Sequence, residues 1–380
     1  MAGVDIRWPD GKQASHPAGT ELLEAARAWN AGKAERAVAG KIDGEVVDVY
    51  APLGRPCAVD LVQPEDPEGL EVLRHSTAHL LAHAVKDLFP SVQIGMGPVT
   101  EEGFFYDFDK GDPFTPEDLE RIETRMREIV AQDFPIRRRE VPKSDALELF
   151  GAQGDRLKTE LIEEKGGPVV SCYEQDGFVD FCLGPHLPST GRIRAFKLLS
   201  IAGAYWKGSE KNRMLQRIYG TAFPDPKRLE EFLRIREEAQ RRDHRKLGPA
   251  LDLFSVEEQA GSGLIFWHPM GARVRARIEE FWREEHGKRG YEIVYTPHIA
   301  RDELWRRSGH FEFYRDNLYT FKIDDEGYVI KPMNCPGHIL IYRSRRRSYR
   351  ELPIRYAELG TVYRYERSGV LHGTMRVRGF

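Results

Sequence analysis

Along the first sixty residues the apolar positions come in short runs. Val4, Ile6 and Trp8 alternate with Asp5 and Arg7, which predicts a half-buried strand closed by the turn signal Pro9-Asp10-Gly11-Lys12. From Thr20 the spacing changes, and Leu22, Leu23, Ala25 and Ala26 predict a helix. The run AGKIDGEVVDVYAPL then holds two short strands around Asp43-Gly44, a dipeptide that favours the positive backbone angles of a tight hairpin. Residues 1–62 therefore read as a small β-grasp-like module.

After the Pro- and acid-rich PEDPEGLE, the segment LRHSTAHLLAHAVKDLF places Leu73, Leu80, Leu81, Ala84, Val85 and Leu88 on one side when wound at about 100° per residue. His75, His79 and His83 recur at every fourth position and form a second stripe roughly opposite, so they are not expected in the core. Mixed helix and strand patterns continue to Pro224, with turn markers at Gly95-Met96-Gly97-Pro98 and Gly166-Gly167-Pro168, giving a second domain over residues 63–224. Residues 225–247 are charged and helical with only a narrow apolar stripe (Leu229, Phe232, Leu233, Ile235), the pattern of a bridging helix. A third domain over residues 248–380 pairs an amphipathic helix at 273–286 with the strand-like runs YEIVYTP and GYVI. It ends at Phe380 inside another strand-like run, so it is expected to be incomplete. The fold class is α+β and multidomain.

Composition narrows the function. The 380 residues are 41% hydrophobic and 31% charged, enough apolar material for packed cores and too patterned for disorder. No stretch approaches the roughly 20 apolar residues of a membrane helix, and the first residues lack a signal-peptide core, which predicts a cytoplasmic protein with no membrane partner. Lys and Arg number 57 against 60 Asp and Glu, a net charge of −3, so any nucleic acid must be met by local patches. The basic runs at 137–139 and 343–350 are candidates, although a solvated surface explains both equally well.

The candidate chemistry lies far apart in sequence. His75 and His79 form an HxxxH pair, and Asp180-Phe181-Cys182-Leu183-Gly184-Pro185-His186 sets a thiol and an imidazole on one tight loop, because Gly-Pro forbids a regular helix. Imidazoles and a thiol brought together can hold zinc, or can position a hydrolytic water without metal, and spacing alone leaves both open. The four cysteines, Cys57, Cys172, Cys182 and Cys335, show no disulfide or zinc-ribbon spacing.

These segments together resemble a known family. HSTAHLLAHAVKDLFP, GPVTEEGFFYDF, LKTELIEE, DFCLGPHLPSTG and GAYWKGSEKNRMLQRIYGTAF are similar, in order and spacing, to the amino-acid editing domain of bacterial threonyl-tRNA synthetases, and DGKQASHPAGTELLEAA resembles the TGS domain that precedes it. Alanyl-tRNA synthetases share a related HxxxH plus CxxxH pocket, and the TGS-like module separates the two. EEFWREEHGKRGYEIVYTPHI resembles class II motif 1, ending at Pro297. RYAELGTVYRYERSGVLHGTMRVRGF resembles motif 2, and PMNCPGH resembles the segment carrying a zinc ligand.

The resemblance implies a β-grasp TGS module, an α+β editing domain, a linker helix and the start of a class II antiparallel-sheet core. It implies an editing pocket of His75, His79, Cys182 and His186 with Lys158 and Asp180 beside it, hydrolysing seryl-tRNA(Thr). It further implies that Arg364 clamps the ATP α-phosphate, Glu366 the adenine side and Arg376 the phosphate tail, and that Phe380 stacks on adenine. Cys335 would ligate Zn(2+) with two histidines downstream, Mg(2+) would accompany ATP, and motif 1 would build a homodimer. The implied activity joins threonine, ATP and tRNA(Thr), with a chain of this length unable to aminoacylate alone. A free-standing tRNA deacylase with a vestigial synthetase segment is the alternative, and a non-catalytic RNA-binding regulator ranks last.

Overall fold

The computed structural model describes residues 3–380, which divide into two compact units, Met1–Arg234 and Ile235–Phe380. In the first unit, β1 (Gly3–Arg7) buries Val4 and Ile6 and exposes Asp5 and Arg7, as the alternation requires. It lies between β2 (Gln13–Pro17) and β5 (Cys57–Val62) in a five-stranded sheet of order β2-β1-β5-β3-β4, in which only the β1–β5 pair is parallel. α1 (Leu22–Trp29) lays Leu22, Leu23, Ala25 and Ala26 into the core of this sheet. α2 (Ala31–Arg36) starts where the Asn30 side chain accepts from the Lys33 N–H at 3.0 Å. Between β3 (Ala39–Ile42) and β4 (Glu45–Val47), Ile42 pairs with Glu45 across Asp43 and Gly44. Their φ values of 51° and 91° are what a two-residue hairpin demands.

α3 (Pro67–Leu88) runs through the middle of the unit. Its apolar residues share one core with Val38, Ala39 and Val62, so the edge of the first sheet also packs into this second core beside its own. One side of α3 is covered by α4 (Pro116–Gln132) and by the antiparallel sheet β11-β12-β7-β6. That sheet comprises β6 (Gln93–Ile94), β7 (Phe104–Asp109), β11 (Ala195–Tyr205) and β12 (Met214–Phe223). The other side meets an antiparallel sheet of β8 (Arg137–Pro142), β9 (Val169–Gln175) and β10 (Phe178–Phe181), together with the loop that follows it. α5 (Lys143–Ala152) and α6 (Arg156–Lys165) complete the layer. The histidine stripe is therefore inside: His79 and His83 are buried, contrary to the sequence expectation, because α3 is packed on both faces. The pattern identified one core face correctly and could not see the second element that would cover the polar one.

α7 (Pro226–Arg241) buries no side chain along its length. In the second unit, α8 (His244–Ala250) precedes the hairpin of β13 (Phe254–Val256) and β14 (Ile265–Trp267), and α9 (Pro269–Lys288) follows. The run YEIVYTP is a strand only at β15 (Glu292–Ile293). β16 (Ile299–Arg301) leads through α10 (Asp302–Arg307) and α11 (His310–Phe313) to β17 (Thr320–Ile323) and β18 (Glu326–Ile330), forming a sheet of order β16-β18-β17. α12 (Cys335–Arg343) follows, and β19 (Tyr356–Ala357) pairs in parallel with β15. The last residues fold back antiparallel, with Val362 and Phe380 exchanging backbone hydrogen bonds at 2.8 and 3.1 Å.

Candidate active site

Helical spacing places His75 and His79 one turn apart on α3, and the loop after β10 brings Cys182 and His186 against them. One nitrogen or sulfur atom from each of the four lies within 4.8 Å of all the others, and among the described residues this is the one cluster of three or more such side chains able to hold a metal ion. Cys182 Sγ is 3.2 Å from His75 Nε2 and accepts the Gly184 N–H at 3.3 Å. The His186 ring packs against His75 and His79, with centroids 4.3 and 4.2 Å away. Gly184 is needed here: its φ is +75°, and a Cβ would collide with the Tyr173 hydroxyl. His83 does not join the cluster. Its Nδ1 meets Gln175 Nε2 at 3.0 Å and its ring stacks on Phe178, so it is a satisfied core histidine.

Lys158 from α6 and Asp180 from β10 form an ion pair beside the histidines, at 2% and 0% exposure. Sequence reasoning missed the third member, Tyr106 on β7. Its hydroxyl donates to Asp180 Oδ2 at 2.5 Å and accepts from Lys158 Nζ at 2.9 Å. A signal existed: Tyr106 alternates with Phe104 and Phe108 on the core face, and a buried phenol must find a partner. Asp180 Oδ2 also lies 3.5 Å from His79 Nε2, which links the ion pair to the imidazoles.

Burial sets the protonation states. It pushes the Cys182 thiol up to about 12 and holds His79 and His186 well below the usual imidazole range, with neighbouring positive charge adding to the effect; His75 is lowered by burial too. The tautomer of His186 follows from its neighbour. Ser76 Oγ gives its one proton to the Val72 carbonyl at 2.8 Å and accepts the Leu187 N–H at 2.9 Å, so at 3.1 Å it receives a proton from His186 Nδ1. Nε2 is left with a bare lone pair, buried and without a partner. Of the cluster, His75, His79 and Cys182 line a cavity of about 270 Å³ together with Tyr106, Lys158 and Asp180, and the neutral His186 packs against the two histidines. Three imidazoles and a thiol also suit zinc by type, with donors at about 2.0–2.3 Å from the ion, although the present spacing is wider than a closed tetrahedron.

These histidines give the unit a pH dependence. Their folded pKa values lie below the unfolded value, so the unfolded chain binds more protons as pH falls through about 6.5. The stability they contribute is complete above that pH and lost below it, on the order of 1 kcal/mol per pH unit for each imidazole. Hydrogen-exchange protection of the α3 amides, measured between about pH 7.5 and 5, is expected to drop by several kcal/mol. A flat profile would show that the imidazoles are already charged in the fold.

In the second unit the folded-back end pairs the other candidates. Arg376 Nη2 lies 3.0 Å from Glu366 Oε2, and the Arg364 guanidinium sits over the Phe380 ring at 5.3 Å. Phe380 also lines a cavity of about 550 Å³ with Trp267, Arg275 and Tyr363. Cys335 stands apart from these residues, exposed at the start of α12. A buried network unseen in the sequence lies nearby: Glu358 accepts from Lys331 Nζ at 3.1 Å and from Thr296 Oγ1 at 3.0 Å, and meets His338 Nε2 at 2.8 Å.

Comparison with known proteins agrees with this layout. Residues 170–219 match the threonyl and alanyl tRNA synthetase second additional domain, and residues 319–380 match the tRNA synthetase class II core domain (G, H, P, S and T). The chain is 55% identical over 380 residues to a threonine–tRNA ligase of Geobacter sp. (strain M21), covering 100% of this chain and 60% of that protein. It is 54% identical over 377 residues to one of Nitrosococcus oceani, covering 99% and 58%. A solved RNA binding domain of threonyl-tRNA synthetase from Cryptosporidium parvum Iowa II is 42% identical over 37% of this chain and 35% of that one, at a TM-score of 0.36. The chain thus spans about three-fifths of the length of the curated relatives it matches. Identity at this level along the whole chain places the chain in the threonine–tRNA ligase family.

Proposed function

We propose that the first unit hydrolyses seryl-tRNA(Thr) and that the second opens the core in which threonine, ATP and tRNA(Thr) are joined. The observation that carries the reading is the buried cluster of His75, His79, Cys182 and His186 beside the Lys158–Asp180 pair, in a chain of this family. A water held by the lone pair of His186 Nε2, or by His75, would attack the ester carbonyl as that imidazole takes its proton; the Lys158 ammonium would counter the charge on the carbonyl oxygen, and the proton would pass to the departing ribose oxygen as the ester C–O bond breaks. His79, Asp180 and Cys182 orient these groups. Such a site has a reason to exist, because a pocket built to hold a threonine hydroxyl discriminates against serine by only one methyl group, about 1–3 kcal/mol.

The rest of the reading follows the same family. Residues 1–62 are a TGS module, supported by the order of its mixed sheet. Residues 63–224 are the editing domain, 225–247 the linker helix, and 248–380 the class II segment. Arg364 and Arg376 would bind ATP phosphates, Glu366 and Phe380 its base, with Mg(2+) accompanying the nucleotide. Cys335 fits as one zinc ligand, since its thiol is exposed, and among the described residues it belongs to no group of three or more such donors. Homodimer formation is supported by α9, where Met270, Val274, Ile278 and Phe281 form a stripe 51–64% exposed. A cytoplasmic location suits these substrates.

The test is hydrolysis of seryl-tRNA(Thr) against threonyl-tRNA(Thr), with His75→Ala as control. Selective loss of serine, abolished by the substitution, supports the reading; equal hydrolysis of both esters, or none, would overturn it.

A further inference from the structure

In the second unit, the hairpin that carries Arg376 is pinned at its tip by a residue from outside it. His372 and Arg376 pair across a three-residue turn, the N–H of each donating to the carbonyl of the other at 3.0 and 3.2 Å, and the Met375 N–H also returns to the His372 carbonyl at 2.9 Å. The Thr374 N–H points the other way and donates at 3.0 Å to Nε2 of His244, the first residue of α8 and 130 residues distant in sequence. An imidazole that accepts at Nε2 carries its proton on Nδ1, and that nitrogen faces Asp243 Oδ1 at 3.8 Å. The ring is also held by packing, against Phe254 of β13 at 6.5 Å between centroids and edge-on against His372 at 5.8 Å. Gly373 shows how close the approach is: its φ is +50°, and a Cβ there would lie 2.0 Å from His244 Nε2.

The base of the hairpin is held separately, by Arg378. Its guanidinium donates to the Glu366 carbonyl at 2.9 Å, to the Ser262 carbonyl at 3.1 Å and to Ser368 Oγ at 3.3 Å. Between the two anchors stands Arg376, more than half exposed, with Nη2 3.0 Å from Glu366 Oε2. A two-stranded ribbon this short is marginal by itself, so with only its base fixed it would swing as a lever and carry Arg376 with it. The lone pair of His244 supplies the hold at the far end.

We propose that His244 is a positioning residue for nucleotide binding, which fixes, by holding the Thr374 N–H, the direction in which the hairpin presents Arg376 to a nucleoside triphosphate. This rests on the assignment of Arg376 to the phosphates of ATP. His244 acts through the hairpin and not by contact with the phosphates, so its loss removes preorganisation while every phosphate-binding group stays in place.

The experiment compares the full chain with His244→Ala and His244→Gln, with Met375→Ala as a control at the same tip, where that side chain is 78% exposed. Glutamine keeps an acceptor oxygen near the place of Nε2, so it separates loss of the hydrogen bond from loss of the ring. Two quantities are read: the exchange rate of the Thr374 amide, and the Kd for MgATP followed through the Arg376 Nε–H resonance, assigned by its disappearance in Arg376→Lys. His244→Ala is expected to speed Thr374 exchange by about 3- to 10-fold and to raise the Kd for MgATP by a similar factor, the worth of one hydrogen bond. His244→Gln should bring both back to within about 2-fold of the parent, and Met375→Ala should leave both there.

Unchanged Thr374 exchange in His244→Ala overturns the proposal, because the hydrogen bond would then hold nothing. Faster exchange with an unchanged Kd overturns it as well, since the tip would then move without consequence for the nucleotide. A loss shared equally by alanine and glutamine makes the ring a packing element and overturns the role of its lone pair. A parent chain whose Arg376 resonance does not respond to MgATP rejects the assignment of Arg376 to ATP, and with it the nucleotide role, while the exchange rates still decide whether His244 holds the hairpin.

Discussion

Replacing His186 by alanine should lower kcat for seryl-tRNA(Thr) hydrolysis by about 10²–10⁴-fold, the usual contribution of a positioned general base, with KM changed by no more than about 3-fold. The geometry points to this residue ahead of its neighbours. His75 Nε2 is engaged with the Cys182 thiol, and His79 Nε2 faces the Asp180 carboxylate, whereas His186 Nε2 is buried, bare and directed by the Nδ1 contact to Ser76. Its pKa is held down by burial and by the other two imidazoles, so the group stays neutral across the physiological range and the rate should not fall until well below pH 6.5. Single-turnover deacylation from about pH 5 to 8 checks both statements. A His186→Ala rate within 10-fold of the parent would move the role to His75, whose own substitution would then have to carry the larger loss.

The ranking of the three imidazoles could not come from the sequence. HxxxH and CxxxH spacing singled out all four members of the cluster, because helical period and a Gly-Pro loop are local properties that short-range pattern encodes. The hairpin at Asp43-Gly44 was legible for the same reason: two residues of positive φ are a local demand. What spacing could not encode is which surface a second element will cover. His83 sits on the same stripe as His75 and His79, yet it ends stacked on Phe178 with Gln175 on its ring nitrogen. Tyr106 lies 52 residues from Lys158 and 74 from Asp180, and no local spacing ties it to either. YEIVYTP has strand composition but pairs over only two residues, since pairing depends on the partner that β19 supplies and not on propensity.

The buried pair allows a test that separates holding the fold from doing the chemistry. Lys158→Met alone should destabilise the first unit by about 3–5 kcal/mol, because it strands the Asp180 carboxylate in a site with no exposure. Replacing the whole network, as Lys158→Met, Asp180→Leu and Tyr106→Phe together, removes both charges and the phenol hydroxyl and leaves only His79 Nε2 without the carboxylate it faces. Apolar replacement of a buried ion pair is commonly neutral or stabilising, so the triple variant should return to within about 2 kcal/mol of the parent. Hydrolysis should not return with it. The Lys158 ammonium is the buried cation at the cavity beside the imidazoles, and a methionine cannot counter the negative charge on the ester oxygen. Exchange protection of the α3 amides reports stability, and deacylation of seryl-tRNA(Thr) reports chemistry. A triple variant that is stable and still hydrolyses at a tenth of the parent rate or better would mean that Lys158, Asp180 and Tyr106 only build the wall of the pocket. A stable variant that is inactive would place part of the chemistry in the Lys158–Asp180–Tyr106 network itself, since stability and catalysis would then have been lost together in the single substitution and parted in the triple.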